Sequence, residues 1–248
     1  MPGRLQGKVA VISGAASGIG QAYARRLAED GADVAVADVL PASETEALVE
    51  EAGRDCLVQH CDVSSADDVR ALAEAVQQRF GQADILINNA GIYPAKPFLE
   101  MDFSEWRRVL SINLDSMFHM CQAFAPGMRQ RGWGRIVNVS SGTFLRAPAG
   151  MSHYVASKAG VIGFTRVLAR ELGQYGITVN AIAPGLTATE TVLNSPQADW
   201  LADRDRERAI PRREVAQDLV GAMAFLVSDD AAFYTGQTML VDGGAGFL

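Results

Sequence analysis

The chain has 248 residues, of which 48% are hydrophobic and 21% are charged. These proportions are typical of one globular domain with a full core, and they exclude a disordered or collagen-like chain. The 29 acidic and 22 basic side chains leave a formal net charge of −7. An acidic chain without a long run of Lys and Arg is a poor binder of nucleic acid or of an anionic membrane.

Cysteine and histidine usage argues against covalent or metal cross-links. The three cysteines, Cys56, Cys61 and Cys121, are odd in number and form no Cys-x-x-Cys pair. The histidines share no spacing typical of metal ligands. No apolar run approaches the roughly 18–20 residues of a membrane span, and the run at Val9–Ile12 is too short for a signal peptide. We therefore expect a cytoplasmic protein that begins at or near Met1 and binds no metal.

Short apolar runs alternate with longer amphipathic segments along the chain. In chain order the runs predict strands at Val9–Ser13, Asp33–Ala37, Leu57–Cys61, Ile85–Asn88, Arg135–Ser140, Ile177–Ile182 and near Thr238–Val241. The segments between them predict helices at Gly18–Asp30, Ala42–Ala52, Ala66–Phe80, Ser104–Arg129, His153–Gln174 and near Glu214–Ser228. Strands that alternate with helices indicate βαβ crossovers. We predict a single α/β domain over residues 1–248, a Rossmann-like doubly wound parallel sheet of about seven strands with helices on both faces.

One segment interrupts this alternation. Between Pro184 and Arg213 the chain mixes Thr, Asn, Ser and Pro with Trp200 and the charged stretch Asp203–Arg208. A connection of this length in a compact domain is usually a lid or a binding loop, or is otherwise disordered. We predict a substrate lid at residues 186–212 and keep a plain insertion as the alternative.

A glycine-rich turn joins the first strand to the first helix. Gly14, Gly18 and Gly20 lie with Ser17 and Ile19 in the sequence Ser-Gly-Ala-Ala-Ser-Gly-Ile-Gly. Glycines at this place let the backbone approach a pyrophosphate, and the helix N-terminus supplies free N–H groups and a positive dipole. The spacing differs from the usual dinucleotide-binding pattern, so tight strand–helix packing is the alternative.

An acidic residue follows at the end of the second strand. Asp38 lies 18 residues after Gly20, near the roughly 20-residue offset typical of a carboxylate that binds the adenosine ribose. Such a carboxylate accepts hydrogen bonds from both ribose hydroxyls and repels a 2′-phosphate. Neither Ser17 nor Val39 is basic, so NAD is favoured over NADP as the cofactor. The alternative is that Asp38 is a solvated turn residue.

Polar and small residues also follow the next four strands. They are Asp62-Val63 after the third strand, Asn88-Asn89-Ala90-Gly91 after the fourth, Ser140-Ser141 after the fifth and Pro184-Gly185 after the sixth. Most of these residue types are common in ordinary turns. In an open parallel sheet, however, the carboxyl ends of the strands form one crevice, so these groups are expected to meet there.

The sequence Tyr154-Val-Ala-Ser-Lys158 places a phenol and an ammonium four residues apart. On the predicted helix this spacing puts both groups on one face. A phenol with a pKa of about 10 is a poor base at neutral pH, but a nearby ammonium and a positively charged nicotinamide ring favour the phenolate. The pair is therefore predicted to work as an acid–base group. The alternative is a surface pair without function.

Together these motifs resemble the short-chain dehydrogenase/reductase family over essentially the whole chain. The matching residues are the turn Gly14–Gly20, Asp62, Asn88–Gly91, Asn113, Ser141, Tyr154, Lys158, Pro184-Gly185, Thr189 and the stretch Thr235–Gly244. The resemblance implies hydride transfer between a nicotinamide cofactor and an alcohol or ketone. In such enzymes the cofactor carries the hydride and the protein supplies orientation and electrostatics.

The resemblance also implies residue roles. Tyr154 would exchange a proton with the substrate oxygen, Ser141 would hydrogen-bond that oxygen, and Lys158 would hold the nicotinamide ribose and lower the Tyr154 pKa. Asn113 would position a water that links Lys158 to solvent, and Thr189 would contact the carboxamide. The residues implied to bind NAD are Gly14, Ser17, Gly18, Ile19, Gly20, Asp38, Asp62, Val63, Asn89, Ala90, Gly91, Tyr154, Lys158, Pro184, Gly185, Thr187 and Thr189.

Some local stretches resemble particular members of the family. Those around Tyr93, Trp133 and His153 are similar to bacterial 1-phenylethanol dehydrogenases and, less closely, to pyridoxal 4-dehydrogenase. We predict an NAD-dependent secondary alcohol dehydrogenase or ketone reductase whose substrate is hydrophobic or aryl-bearing. The residues predicted to bind this substrate are Ser141, Tyr93, Thr143, Phe144, Leu145, His153, Leu186 and Trp200. For His153, a structural place beside the helix start is an equal alternative.

Other functions stay open at this point. A sugar or polyol dehydrogenase and a pyridoxal-type dehydrogenase are enzymes on the same fold, whereas a non-catalytic NAD sensor belongs to another class. The set Asn113, Ser141, Tyr154 and Lys158 argues against a sensor, which needs no proton relay. The resemblance further implies a homotetramer that packs its long helices and its C-terminal strands against neighbouring copies, and the apolar end at Leu248 suits such an interface.

Overall fold

The computed structural model describes residues 4–247. Its strands are β1 Val9–Ser13, β2 Asp33–Asp38, β3 Cys56–His60, β4 Ile85–Asn88, β5 Gly134–Val139, β6 Ile177–Pro184 and β7 Thr238–Val241. They form one sheet in the order β3-β2-β1-β4-β5-β6-β7, and every pair is parallel. The predicted single domain with a doubly wound parallel sheet is confirmed.

Helices connect the strands and cover both faces of the sheet. They are α1 Gly18–Glu29, α2 Ser43–Glu51, α3 Ala66–Phe80, α4 Phe103–Leu110, α5 Ser116–Arg131, α6 Thr143–Arg146, α7 Ser152–Leu172, α8 Glu190–Leu193, α9 Leu201–Glu207 and α10 Gln217–Val227. The predicted bounds match at β1, α3, β4 and β7, and most of the other predicted elements differ from the observed ones by a few residues at their ends.

Two apolar clusters enclose the sheet. Side chains of α1, α2 and α10 pack with Ala10 and Ile12 of β1, whereas those of α3, α5 and α7 share a cluster with Val11 from the opposite face of the same strand. All five residues of β1 are therefore buried. A strand that is covered on both faces has apolar residues at every position, instead of apolar and polar residues in alternation. The continuous apolar run therefore allowed β1 to be predicted from the sequence.

The helix predicted at Ser104–Arg129 is wrong in one respect. The structure divides it into α4 and α5, with a π-helical segment, Ser111–Asp115, between them. An Asp102 capping box begins α4, one residue earlier than the predicted start. The π-helical segment has only five residues, which is too short for apolar periodicity to distinguish it from an α-helix. Such segments are frequently found at functional sites.

The segment predicted as a lid is folded in the structure. It contains α8, a short 3-10 turn at Pro196–Trp200, and α9. Leu201 is buried, and Gln197 Nε2 donates a hydrogen bond to the Tyr93 carbonyl at 3.2 Å. The segment thus packs over the region that follows β4.

Within residues 4–247, none of the helices combines the length and the apolar character that crossing a bilayer requires.

Candidate active site

The winding of the sheet reverses between β1 and β4. The chain proceeds from β1 to β2 and β3 on one side, then crosses to β4 and continues to β7 on the other. Open α/β sheets bind ligands at this switch point, outside the carboxyl ends of the strands. A cleft of about 200 Å³ lies there, lined by residues that follow β4, β5 and β6, by α7, and by the folded lid segment.

The glycine turn builds one end of the site from backbone. Gly14 and Gly18 have left-handed conformations, with φ of 65° and 61°. A Cβ on Gly20 would lie 2.2 Å from the Gly14 carbonyl oxygen, so only glycine fits there. Ser17 occupies the N-cap position of α1 without a capping hydrogen bond from its side chain, and the first turn of that helix has no acidic residue. This cradle and its free N–H groups fit the pyrophosphate of a dinucleotide.

Two side chains fasten this turn to the neighbouring strand. Ser13 Oγ accepts hydrogen bonds from the N–H groups of Asn89, at 3.0 Å, and Ala90, at 3.1 Å. Asn89 Nδ2 in turn donates to the carbonyl oxygens of Ser13 and Gly14. These hydrogen bonds require a hydroxyl at position 13, so Thr could replace Ser13 there.

Asp38 lies beside the same turn at the end of β2. Its Oδ2 accepts a hydrogen bond from the Ala16 N–H at 2.9 Å, and its Oδ1 accepts one from the Leu40 N–H at 3.0 Å. Val39 and Leu40 are exposed, and no Lys or Arg occurs at residues 9–24 or 33–53. The chain therefore places a carboxylate here, with no basic residue close to it in sequence.

Asp62 and Val63 follow β3, the strand that pairs with β2. Asp62 Oδ1 accepts hydrogen bonds from the N–H and the hydroxyl of Ser64, at 2.9 and 2.6 Å. Val63 is buried in the core below. Of these two predicted cofactor residues, Asp62 has an exposed carboxylate that a ligand at this edge could reach, whereas the Val63 side chain is covered.

Asn113 and Lys158 meet beneath the turn that follows β4. Asn113, fully buried in the π-helical segment, accepts a hydrogen bond from the Ile92 N–H and donates one to the Ile92 carbonyl. Lys158 Nζ donates to the Val139 carbonyl at 2.7 Å. A Cβ on Gly91 would lie 3.2 Å from Asn113 Oδ1 and 3.4 Å from Lys158 Nζ. Glycine at this position lets the turn approach both groups.

Tyr154, Lys158 and Ser141 line the cleft together. Tyr154 and Lys158 are one turn apart on α7, and Lys158 Nζ is 5.9 Å from the centroid of the Tyr154 ring. The Ser141 hydroxyl lies 2.5 Å from Thr143 Oγ1. The Tyr93 ring meets the Tyr154 ring edge to face, with 6.4 Å between centroids. The fold thus brings the predicted acid–base residues to one place.

Burial moves the pKa values of this phenol and this ammonium in opposite directions. It raises the Tyr154 pKa, an effect that the Ser141 hydroxyl opposes. It lowers the Lys158 pKa to about 8. Desolvation of the phenolate outweighs the effect of the Ser141 hydroxyl, and the lowering of the Tyr154 pKa expected from Lys158 and a bound nicotinamide ring stays a prediction. A lysine with a pKa near 8 can accept and release a proton at physiological pH.

The loop after β6 lies across the cleft from the glycine turn. The Gly185 N–H and the Thr187 hydroxyl donate to Glu214 Oε1, at 3.1 and 2.9 Å. A Cβ on Gly18 would lie 3.3 Å from the Thr189 methyl carbon, so this loop touches the turn. The Thr187 hydroxyl is engaged by Glu214, a residue that sequence reasoning did not single out.

The structure places some of the predicted substrate residues in the cleft and others outside it. Those that line the cleft are Tyr93, Ser141, Thr143, Leu186 and Trp200, whereas Phe144, Leu145 and His153 do not. Leu145, on α6, is 39% exposed. His153 is buried at the start of α7, where its Nδ1 accepts the Tyr154 N–H at 2.9 Å. Burial and this hydrogen bond favour the structural alternative for His153.

Several residues of the cleft were missed. They are Pro148, Met151, Val192, Gln197, the basic residues Arg146, Arg204 and Arg208, and Asp242 and Ala245 near the C-terminus. They come from separate segments that meet only in the folded protein. The charged stretch Asp203–Arg208 was the one available signal, but nothing in its sequence showed which side chains turn inward.

Among residues 4–247, no group of three or more His, Cys, Asp or Glu side chains is placed to hold a metal ion.

Comparison with known proteins bears on this site. A family profile described as Enoyl-(Acyl carrier protein) reductase matches residues 14–246. The chain is 40% identical over 243 residues to 3-oxoacyl-[acyl-carrier-protein] reductase FabG of Pseudomonas aeruginosa, over 97% of this chain and 98% of that protein. It is 39% identical over 246 residues to Nodulation protein G of Azospirillum brasilense, with coverage of 97% and 98%. The crystal structure of levodione reductase matches with a TM-score of 0.90 and 34% identity, over 97% of this chain and 98% of that one.

The fold and the cleft define an oxidoreductase that uses a nicotinamide cofactor. The chain belongs to the short-chain dehydrogenase/reductase family. The more specific resemblance to 1-phenylethanol dehydrogenases is not supported by these comparisons, because the relatives reported above have other names.

Proposed function

We propose that this protein interconverts a secondary alcohol and a ketone with NAD(H), and that Tyr154 is its acid–base residue. The observation that carries the proposal is the convergence of Tyr154, Lys158 and Ser141 on one cleft at the switch point of the sheet. Oxidation of a carbinol requires removal of the hydroxyl proton as the hydride leaves, and a phenol beside a titratable lysine suits that task.

Each residue has a distinct part in this scheme. The bound cofactor supplies or accepts the hydride. The Tyr154 oxygen takes the proton from the alcohol, or returns it to the ketone oxygen. The Ser141 hydroxyl hydrogen-bonds the same substrate oxygen and orients it. Lys158 holds the nicotinamide ribose and exchanges protons with Tyr154, and buried Asn113 links this lysine to solvent through a water.

The preference for NAD rests on the edge of the site beside β2. The Asp38 carboxylate stands there without a basic residue near it in sequence. A 2′-phosphate at this place would face a negative charge with no partner, whereas two ribose hydroxyls would find an acceptor.

The cofactor proposal is tested by the double substitution Asp38→Ala with Val39→Arg. We expect affinity for NAD to fall and the preference to shift toward NADP by about tenfold or more, because one repulsive charge is removed and one basic group is added. The measurement is the dissociation constant of each cofactor, by fluorescence titration. Glu51→Ala, which removes an exposed carboxylate at the end of α2, outside the predicted cofactor site, is the matched control. An unchanged ratio would remove Asp38 from the ribose site.

The substrate end of the cleft favours an apolar body. Met151, Val192, Leu186 and Trp200 line it, and Tyr93 stacks edge to face on Tyr154. We propose a hydrophobic or aryl-bearing carbinol, with residues 186–212 acting as the lid that closes over it. The hydrogen bond from Gln197 to the Tyr93 carbonyl connects this lid to the turn after β4.

A second candidate is reduction of a 3-oxoacyl thioester, which the 40% identity to the reductase from P. aeruginosa favours. An assay that follows nicotinamide absorbance separates the two. Aryl and alkyl carbinols, polyols and pyridoxine-like alcohols would be tested with both oxidised cofactors, and a 3-oxoacyl thioester with both reduced ones. Turnover of carbinols with NAD supports the first proposal, whereas turnover confined to the thioester would replace it. Binding of NAD without turnover would leave the sensor function.

We also propose assembly into a homotetramer. A groove between α5 and α7 exposes Phe118 and Val167, each more than half accessible, beside Phe164 and Tyr175. A second copy of the same helix pair would cover these side chains. The apolar C-terminal end named above includes Leu248, which lies outside the described residues. Light scattering of the wild-type chain and of Val167→Glu, a change confined to the exposed face, would test this assembly.

A further inference from the structure

Two arginines stand at the substrate end of the cleft. Arg146, on α6, and Arg204, on α9, both line it, although they are 58 residues apart in sequence. Both guanidinium groups form ion pairs with the same carboxylate, that of Glu207. Arg146 Nη2 also donates to the Ala245 carbonyl at 3.0 Å. The lid, α6 and the C-terminal segment therefore meet at one charged group.

This group carries one positive charge more than it neutralises. Glu207 is a single carboxylate shared by two guanidinium groups, and among residues 4–247 no second carboxylate forms an ion pair with either of them. The other arginine of the cleft is compensated differently, because buried Arg208 pairs with Glu214 at 3.2 Å and with Asp205 at 2.9 Å. Asp242, the acidic residue of the described lining, forms no ion pair with Arg146 or Arg204, and its Oδ1 accepts hydrogen bonds from the N–H groups of Gly244 and Ala245.

The excess charge does not belong to the phosphate cradle. Gly14, Gly18 and Gly20 are absent from the lining of this cleft, whereas Arg146 and Arg204 share it with Trp200 and Met151. The arginines thus accompany the apolar walls and not the glycine turn. In addition, the Tyr93 hydroxyl in the same lining is buried without a hydrogen-bond partner among the protein groups. A ligand with an apolar body and polar oxygen atoms would complement both features.

We propose that the substrate is a secondary alcohol or ketone that carries a carboxylate, and that Arg146 and Arg204 bind this carboxylate. This inference rests on the proposed function and adds the chemical class of the substrate to it. Guanidinium groups suit the task, because each presents several N–H donors in a plane that matches a carboxylate. Glu207 holds the two arginines in place and neutralises one of their two positive charges. The carboxylate of the substrate is the counter-ion of the other.

The test uses pairs of substrates that differ only in charge. Secondary alcohols with a carboxylate at increasing distance from the carbinol carbon are each compared with their methyl esters, and kcat/KM is measured with NAD. For the pair of best fitting length, we expect the acid to be preferred by about tenfold or more, the factor that one hydrogen bond to a charged group provides. The preference should reside mainly in KM, since the contact is remote from the reacting carbon.

Three variants separate binding from a structural role. Arg146→Gln should reduce the preference for the acid about tenfold. Glu207→Gln should increase it, because both guanidinium groups then lack a counter-ion. A salt bridge that only holds the lid would respond in the same direction to both changes, since each breaks the same ion pair. Arg206→Gln is the matched control: Arg206 lies on α9 with Arg204, pairs with Asp203, is 76% exposed and is absent from the lining.

The outcomes are distinct. Equal rates for acids and esters in the wild-type enzyme would overturn the inference while leaving the proposed function intact. So would a matching loss of preference in Arg206→Gln, which would point to general charge, or in Glu207→Gln, which would point to lid structure. Failure of every acid and every ester to reduce NAD would overturn the proposed function itself.

Discussion

The two ends of the candidate site are built in different ways. The cofactor end consists of backbone: the glycine turn, the N-terminus of α1 and the loop after β6 present N–H groups and close approaches, and Gly20 admits no side chain. The substrate end consists of side chains, with Trp200, Arg204 and Arg146 drawn from the lid and from α6. A backbone site leaves a local glycine pattern in the sequence, whereas a side-chain site is assembled from distant segments.

The residue at the junction of the two ends should give the largest effect. Tyr154→Phe removes one hydroxyl and leaves the ring contact with Tyr93 in place. We expect kcat to fall about a thousandfold, the scale of a lost general acid or base, with the NAD dissociation constant nearly unchanged. Stopped-flow and titration measurements would check both values. Tyr175→Phe, distant from the cleft lining, is the control, and wild-type turnover by Tyr154→Phe would refute the acid–base role.

The second largest effect is expected when a methyl group is added to the glycine turn at the cofactor end. In Gly20→Ala the new Cβ collides with the Gly14 carbonyl, so the turn must open and lose its fit to a pyrophosphate. We expect NAD affinity to fall about a hundredfold. Gly163→Ala is the matched control on α7, since nothing lies within 4 Å of its Cβ, and it should stabilise the protein by roughly 0.5–1 kcal/mol. Equal NAD affinity in the two variants would show that the close approach is not needed.

The buried lysine makes stability depend on pH. Its pKa falls from 10.5 in the unfolded chain to about 8 in the folded one, so between these values the unfolded chain binds more protons. The free energy of unfolding therefore rises with pH across this window, and burial of the ammonium costs stability below it. Lys158→Met should lose roughly 2 kcal/mol of this rise between pH 7 and about 9.5, as measured by urea unfolding. In Lys96→Met, which alters a lysine with 37% of its side chain exposed, the rise should persist.

The smallest effects are expected within the substrate end. Trp200→Ala should raise KM several-fold, about 1 kcal/mol of lost apolar contact, without changing NAD affinity. Leu145→Ala, on α6 but absent from the cleft lining, should leave KM unchanged. An equal rise in both variants would mean that α6 and the lid contact the substrate differently from the cleft described above.

The same contrast explains what the sequence allowed us to predict. The apolar strands, the turn Gly14–Gly20 and the Tyr154–Lys158 spacing could be predicted from the sequence. Each of them depends on residues that are close together in the chain. Arg146 lines the cleft and Leu145 does not, although they are neighbours on a four-residue helix. Which of these side chains faces the cleft depends on how α6 packs, and one helical turn is too short for sequence periodicity to show it. The burial that raises the Tyr154 pKa could not be predicted either, since it depends on the packing of distant segments.

The hydroxyl of Ser13 links the cofactor turn to the chain's own assembly. The turn is complete only when Asn89 and Ala90, 76 and 77 residues later in sequence, have joined it. A nascent chain that has emerged only through β3 therefore holds all three glycines and still lacks the groups that set their geometry. Competence to bind a dinucleotide arises when β4 docks beside β1, so bound cofactor reports that the two halves of the sheet have met.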